Sequence, residues 1–354
     1  MNDYYLYLSE PGVYIPPDTI TNADLEKIVG TSDKWIVSRT GIRERRISYD
    51  KNAKQMGIES AKNLLDKIKI PPNEIDEIIF CTNNHAEQKE FPNHASYVAE
   101  QLGITKDIPT HDESEGCTGP VYGIRMARNI LIGEPDKINI LVAGAEHLTD
   151  ITDYSDRNTC VLFGDAAVCW MVSRKKRKNN EEGIIKTFVS GRPDKNDYLS
   201  LEYKLGKKIR RLTDPSKKFE LYKKRQNYLV MNGPEVFKFA TEVMREATHK
   251  VIEGTGYELK DIDVIIPHGA NIRIVRQVEI GLKKKGFHGE IFTNLEKYGN
   301  TSTASTGLAQ EEAVRLGIIK KGSLYVIVKF GAGFTYGAIL ARHEQESYSM
   351  SMAT

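Results

Sequence analysis

Three short glycine-bearing clusters place a thiol, an imidazole and a carboxamide at separate points of the 354-residue chain. They are Ser114-Glu115-Gly116-Cys117-Thr118-Gly119, Pro267-His268-Gly269-Ala270-Asn271 and Tyr298-Gly299-Asn300-Thr301-Ser302. Each residue type has its own task in acyl transfer. A thiolate attacks acyl carbon, while an imidazole and a carboxamide can donate hydrogen bonds to the oxyanion or enolate formed afterwards. Taken singly, each also has a plain reading: a buried structural cysteine, a satisfied core histidine, a polar turn.

The elements around them give each group a position. Cys117 precedes Pro120 and an apolar segment, residues 121–132, that suits a buried helix. Proline is tolerated in a first helical turn, so the thiol is expected at a helix N-terminus, where the dipole lowers a thiol pKa. His268 follows the strand-like residues 264–266 through Pro267, at the strand's C-terminal end, where open α/β sheets place their chemistry. Asn300 lies in a loop ahead of a helix over residues 306–316.

An internal echo organises the rest. Ile70-Pro71-Pro72-Asn73-Glu74-Ile75-Asp76-Glu77-Ile78-Ile79-Phe80 returns half a chain later as Tyr257-Glu258-Leu259-Lys260-Asp261-Ile262-Asp263-Val264-Ile265-Ile266-Pro267. A helix, a further strand (residues 138–143 or 323–330) and a glycine-bearing stretch follow each copy. The order predicts a duplicated βαβ-containing unit, and the continuous apolar strands suit sheets covered on both faces. The halves divide after Val172, where the charged residues 174–182 interrupt the apolar pattern, giving units 1–180 and 181–354.

Composition narrows the class. The 40% hydrophobic content can fill a core, and the net charge of +2 does not point to nucleic acid. No stretch approaches the roughly 18 apolar residues of a membrane span, and Met1-Asn2-Asp3-Tyr4-Tyr5 lacks a signal-peptide layout, so a cytoplasmic protein without membrane partners is expected. Cys81, Cys160 and Cys169 sit in apolar runs, and no C-x-x-C pair suggests a disulfide framework or a metal. Basic residues concentrate in 174–178 and 204–225; these read either as a solvated hairpin and a solvated loop or as a collar for phosphates or an acidic carrier protein. Near the N-terminus, a helical turn from Asp33 puts Trp35 and Arg39 on one face, where indole and guanidinium can sandwich a flat heteroaromatic ring or simply stack on each other.

This ordered set resembles the β-ketoacyl-acyl carrier protein synthase III family of the thiolase superfamily. The match includes Thr21-Asn22-Ala23-Asp24-Leu25-Glu26, the Trp35 and Arg39 segment, Cys117, Phe163-Gly164-Asp165, Met231-Asn232-Gly233-Pro234-Glu235-Val236-Phe237, His268, Asn300 and residues 330–337. The resemblance implies a duplicated thiolase fold, layered αβαβα with two mixed five-stranded sheets, in a homodimer. It implies an acyltransferase with a Cys117, His268 and Asn300 triad and an oxyanion hole from the amides of Cys117 and Ala332. Trp35, Arg39, Arg157, Gly233, Phe237 and Asn271 match coenzyme A-binding positions, Arg273 a carrier-docking position, and Phe91 the residue that reaches the partner's acyl pocket. No tightly bound cofactor is implied. Coenzyme A thioesters are substrates: acyl-CoA loads Cys117, and a malonyl thioester, on coenzyme A or a carrier protein, then condenses with loss of carbon dioxide. Two donors to the enolate oxygen are worth about 3 kcal/mol each.

The chain departs from the family pattern at four places near the clusters. Glu115 and Gly269 stand where a small apolar residue and a glutamine are usual, Ala332 replaces a glycine, and Pro120 an aromatic. A carboxylate near the thiol is expected to raise its pKa, and Glu115 either shapes an unusual acyl site or bonds to backbone. Residues 192–228 are longer and more basic than usual. Together these suggest a specialised ketosynthase of fatty-acid or polyketide type. An acyltransferase of the same fold that moves acyl groups without decarboxylation is the alternative. A papain-like hydrolase would need its own signature around Cys117, and a non-catalytic carrier-binding module would form no acyl-enzyme.

Overall fold

The computed structural model describes residues 3–84, 93–194, 196–211 and 219–344. Strands β1 (Tyr4–Leu8) and β2 (Gly12–Tyr14) open the chain. A small antiparallel pair, β3 (Asp18–Thr21) and β4 (Glu44–Ile47), encloses helices α1 (Asn22–Glu26) and α2 (Asp33–Thr40). There follow α3 (Ala53–Ile68), β5 (Glu77–Cys81), α4 (His94–Gln101), β6 (Thr110–Glu113), α5 (Gly119–Gly133), β7 (Asn139–Glu146) and β8 (Ala166–Lys176). Past residue 180 come β9 (Ile184–Gly191), β10 (Leu199–Arg211), β11 (Phe219–Met231), α6 (Gly233–Ile252), β12 (Val264–Pro267) and α7 (Ile272–Lys283). The chain ends with β13 (Glu290–Ile291), α8 (Leu295–Tyr298), α9 (Ser305–Arg315), β14 (Leu324–Phe330) and β15 (Thr335–Arg342).

The first sheet runs β1-β8-β7-β5-β6 and the second, read from its matching edge, β9-β15-β14-β12-β13. Pairing senses agree as well. Strand β5 is parallel to β6 and β7, and β7 antiparallel to β8; β12 is parallel to β13 and β14, and β14 antiparallel to β15. The echo in the sequence is therefore a true duplication, and the fold is the duplicated thiolase arrangement. One strand count differs. The first sheet has six strands because its edge is split: β1 and β2 both pair with β8, and Pro11 between them has no N–H for the ladder.

Alternation along the strands explains the layers. Ile79, Cys81, Ile140 and Val142 of the first sheet and Ile266, Tyr325 and Ile327 of the second point into a shared central layer. Helices α5 and α9 fill that layer through Val121, Ile124, Leu131, Leu308 and Val314, each such buried side chain contributing roughly 1.5–3 kcal/mol. Their neighbours Ile78, Phe80, Leu141 and Ala143 face α3 and α4, and Ile265, Val326, Val328 and Phe330 face α6 and α7. No helix among the described residues is long and apolar enough to cross a membrane. All four cysteines are free and buried.

Among the described residues, the basic run is paired strand rather than loop. Strands β10 and β11 pair along their whole length as an antiparallel ribbon. The ribbon is seated by Ile209 and Leu229, which join the core of the cap built by α2, β3 and residues 148–163. Part of its charge is spent on neighbours: Lys208 pairs with Asp150, Arg211 with Asp18, and Lys204 lies 3.7 Å from Asp153.

Candidate active site

Cys117 lies in a single 3-10 turn, Gly116–Thr118, that enters α5 one turn early. Gly116 takes a left-handed φ of 59°, which an L side chain rarely adopts, and a Cβ there would fall 2.5 Å from the Ala332 nitrogen. A Cβ on Gly331 would lie 2.6 Å from the Cys117 nitrogen. The two glycines thus let the β14–β15 turn press against the turn that bears Cys117. Threonine hydroxyls tie the turns together: Thr118 Oγ1 and Thr335 Oγ1 are 2.6 Å apart and both reach the Glu115 carbonyl.

His268 follows β12 as expected and is fully buried. Its Nδ1 lies 2.7 Å from Ser305 Oγ, and its ring meets Phe330 edge-on with centroids 5.1 Å apart. Nε2 has no hydrogen-bond partner among the described residues, although the ring lines the cavity described below. Burial, reinforced by the nearby Lys329 charge, holds this imidazole well below its usual pKa, so it is neutral.

Asn300 is clamped by the other half of the chain. Its amide donates to Leu162 at 2.8 Å, and its carbonyl accepts from Gly164 at 3.1 Å. Its Oδ1 accepts from the Ser302 amide at 2.9 Å. A backbone N–H can only donate, so this bond fixes the carboxamide with Nδ2 as its remaining donor.

The thiol does not carry the lowered pKa expected of a helix N-terminus. Burial raises it, and the Ser302 hydrogen bond and Lys329 charge only partly oppose that rise. The reason is local: the thiol sits inside the two-sheet junction, where loss of water outweighs the dipole of α5. A carboxylate that bears on it is Glu146, at the end of β7. Glu146 is fully buried, accepts from Asn83 Nδ2 at 2.6 Å and Ser302 Oγ at 3.1 Å, and is pushed up to about 7 by burial.

Lys329 is the residue that the sequence reading missed. It continues the inward row of Tyr325 and Ile327 and is fully buried. Its ammonium donates to Ser302 O and Thr303 O at 2.9 Å each and to Ser305 Oγ at 3.3 Å. Burial brings its pKa down to about 7 despite Cys117, Glu146 and Cys81. A lone lysine in an otherwise apolar strand was the available signal, as was a glutamate closing the apolar run of β7.

Cys117, His268, Asn300 and Ala332 line one cavity of about 1180 Å³. Trp35, Arg39, Gly233, Phe237, Asn271 and Arg273 line the same space. Trp35 is held by α2, which Ser32 caps by accepting from the Trp35 amide at 3.2 Å. The guanidinium facing its indole belongs to Arg157, 4.6 Å from the ring centroid, rather than to Arg39. Residues one helical turn apart share a side of the helix, but the loop bearing Arg157 crosses the indole face from outside, steadied by the Gly30 carbonyl at 3.2 Å.

Two specificity candidates sit elsewhere. Gly269 turns its missing side chain toward Leu295 and Thr293, 3.3 and 3.4 Å from an ideal Cβ, and not toward the cavity. The Glu115 carboxyl is half-buried beside Glu113 and bears on Cys81 and Tyr122; burial first, then Glu113, raises it to about 7. Phe91 lies outside the described residues.

A buried cysteine, an imidazole and an oriented carboxamide that line one cavity with Ala332 are the groups needed to form and condense an acyl thioester. Comparison with known proteins agrees. Residues 111–192 match the family described as 3-oxoacyl-[acyl-carrier-protein (ACP)] synthase III, and residues 252–343 its C-terminal domain. The chain is 36% identical to beta-ketoacyl-[acyl-carrier-protein] synthase III of Aquifex aeolicus over 94% of its length and 97% of the relative's. For the Clostridium novyi protein of the same name the identity is 39%, over 95% and 98%. The crystal structure of the Aquifex aeolicus enzyme superposes with a TM-score of 0.81 at 35% identity, covering 96% of this chain and all of that one. With the duplicated sheets, the three clusters and these relatives all in agreement, the chain belongs to the β-ketoacyl-[acyl-carrier-protein] synthase III family and is a condensing acyltransferase.

Proposed function

We propose that Cys117 takes an acyl group from acyl-CoA and passes it to the carbanion of a decarboxylating malonyl thioester. In the first half-reaction the Cys117 sulfur attacks the thioester carbonyl. The oxyanion is held by the amides of Cys117 and Ala332, coenzyme A leaves, and the thiol proton ends on its sulfur. In the second, the malonyl C–C bond breaks, carbon dioxide departs, and its electron pair makes an enolate whose oxygen takes hydrogen bonds from His268 Nε2 and Asn300 Nδ2. The enolate carbon attacks the acyl-Cys117 carbonyl and expels the thiolate, releasing a β-ketoacyl thioester.

The observation that carries this reading is that Asn300, with its carboxamide oriented, and His268, whose Nε2 has no hydrogen-bond partner among the described residues, line one cavity with Cys117. Hydrolysis needs no second pair of donors, whereas an enolate does. The cavity is also lined by Arg39, Gly233, Phe237, Asn271 and Trp35, and the Trp35 indole, held by the Arg157 guanidinium on one face, suits the adenine of coenzyme A. Arg273 at the cavity rim suits an acidic carrier protein or a phosphate. The protein acts as a homodimer in the cytoplasm in this reading. Ala332, Pro120 and the long basic ribbon favour specialised fatty-acid or polyketide metabolism. Intact-protein mass after exposure to acyl-CoAs, with Cys117→Ala as control, followed by carbon dioxide release on adding malonyl thioester, tests the reaction. Acyl transfer with no carbon dioxide would overturn it.

A further inference from the structure

The reaction above has no task for Lys329, yet a fully buried ammonium beside the nucleophile costs desolvation that its neighbours must offset. Its three donors reach Ser302 O, Thr303 O and Ser305 Oγ. Ser305 Oγ in turn lies 2.9 Å from Ser302 O and 2.7 Å from His268 Nδ1. A serine hydroxyl has one hydrogen, so it can donate to only one of these two acceptors.

The choice decides the chemistry of the imidazole. If the hydroxyl donates to Ser302 O, Nδ1 must carry the ring proton, and Nε2 presents a lone pair that repels an enolate oxygen. If it donates to Nδ1, the proton is on Nε2, which becomes a donor with no partner among the described residues. We propose that Lys329 is a positioning residue that settles this choice. By donating to Ser302 O and to Ser305 Oγ it turns the Ser305 hydrogen toward Nδ1 and holds His268 in the Nε2–H form.

Two physical reasons support the direction. Ser302 O already receives the ammonium and does not need the hydroxyl hydrogen. An oxygen that accepts from a cation is also a stronger donor and a weaker second acceptor, which disfavours an Nδ1–H pointing at it. The same ammonium braces the turn whose Ser302 amide orients Asn300, so one side chain sets both donors. No neighbouring motif does this job, because the lysine arrives from β14, a strand that contributes its backbone to the site only three residues later at Ala332.

This inference rests on the condensation reading, and its test separates the two. Nitrogen-15 NMR of histidine-labelled protein, with the His268 signal assigned by its loss in His268→Asn, reads the tautomer without turnover. The parent is expected as Nε2–H, and both Lys329→Met and Ser305→Ala shift it toward Nδ1–H. In kinetics, Lys329→Met is expected to slow carbon dioxide release by roughly 10²-fold, as for one lost oxyanion donor, while slowing Cys117 acylation far less. A parent ring protonated on Nδ1, or an unchanged tautomer in both variants, overturns the proposal whatever the enzyme's activity. Equal losses in both half-reactions would also overturn it, whereas a parent that releases no carbon dioxide sinks only the condensation reading.

Discussion

The Ser302 amide donates to Asn300 Oδ1 at 2.9 Å, so a residue two positions along the chain determines that Nδ2 is the end of the carboxamide left to donate. Ser302 itself takes a left-handed φ of 47°, uncommon for a residue with a side chain, and the turn is braced by Lys329 and Glu146. Asn300→Asp keeps the accepting oxygen and replaces the donor with a second acceptor. Carbon dioxide release should fall about 10²- to 10³-fold while acyl-Cys117 still forms, measured by single-turnover release and intact mass.

The stacked Trp35 and Arg157 give a prediction about binding alone. Trp35→Ala removes the aromatic face on which adenine stacks in this reading, a contact worth about 0.5–1.5 kcal/mol, which raises KM for acyl-CoA roughly 2- to 13-fold with kcat little changed. The same acyl group on a pantetheine thioester lacking adenine should show no change. A KM effect of equal size on that shorter substrate would remove the adenine assignment.

Gly331 has extended backbone, φ −152°, that any residue adopts, so Gly331→Ala tests packing without strain. Its new methyl would fall 2.6 Å from the Cys117 nitrogen and push the two amide-bearing turns apart. Overpacking of this kind should cost roughly 1–3 kcal/mol in urea unfolding. Acylation of Cys117 should slow toward the roughly 10²- to 10³-fold loss of one oxyanion donor.

Glu115 predicts a pH-dependent stability difference. Its folded pKa is raised to about 7 from 4.5, so the folded state favours the protonated acid. Its contribution is fully present below pH 4.5 and is lost as pH rises through about 7. Relative to the parent, Glu115→Gln should therefore gain in Tm across that window and hold a constant advantage above it, with the gap closing below pH 4.5. An equal Tm difference at pH 4 and pH 8 would contradict the shift.

Much of the site was legible as sequence. Cys117, His268 and Asn300 announced themselves through glycine-bearing loops at element ends, and the I-D-x-I-I echo foretold the matching sheets. What failed were side-chain partners assigned from local spacing. The guanidinium on Trp35 comes from residue 157, a carboxylate near Cys117 from residue 146, and the basic run folds back on itself as a ribbon. Helical spacing and adjacency report only neighbours within a turn or two.

The sequence by itself determined the identity and order of the candidate reacting groups and the duplication that places them, since both follow from residue type and local period. Tertiary structure alone decided their states: a thiol raised by burial, a carboxamide turned by Ser302, and a lysine from β14 facing inward beneath the imidazole. The reason is that desolvation and hydrogen-bond direction depend on what surrounds a group in three dimensions, and here those surroundings combine several elements drawn from both halves of the chain.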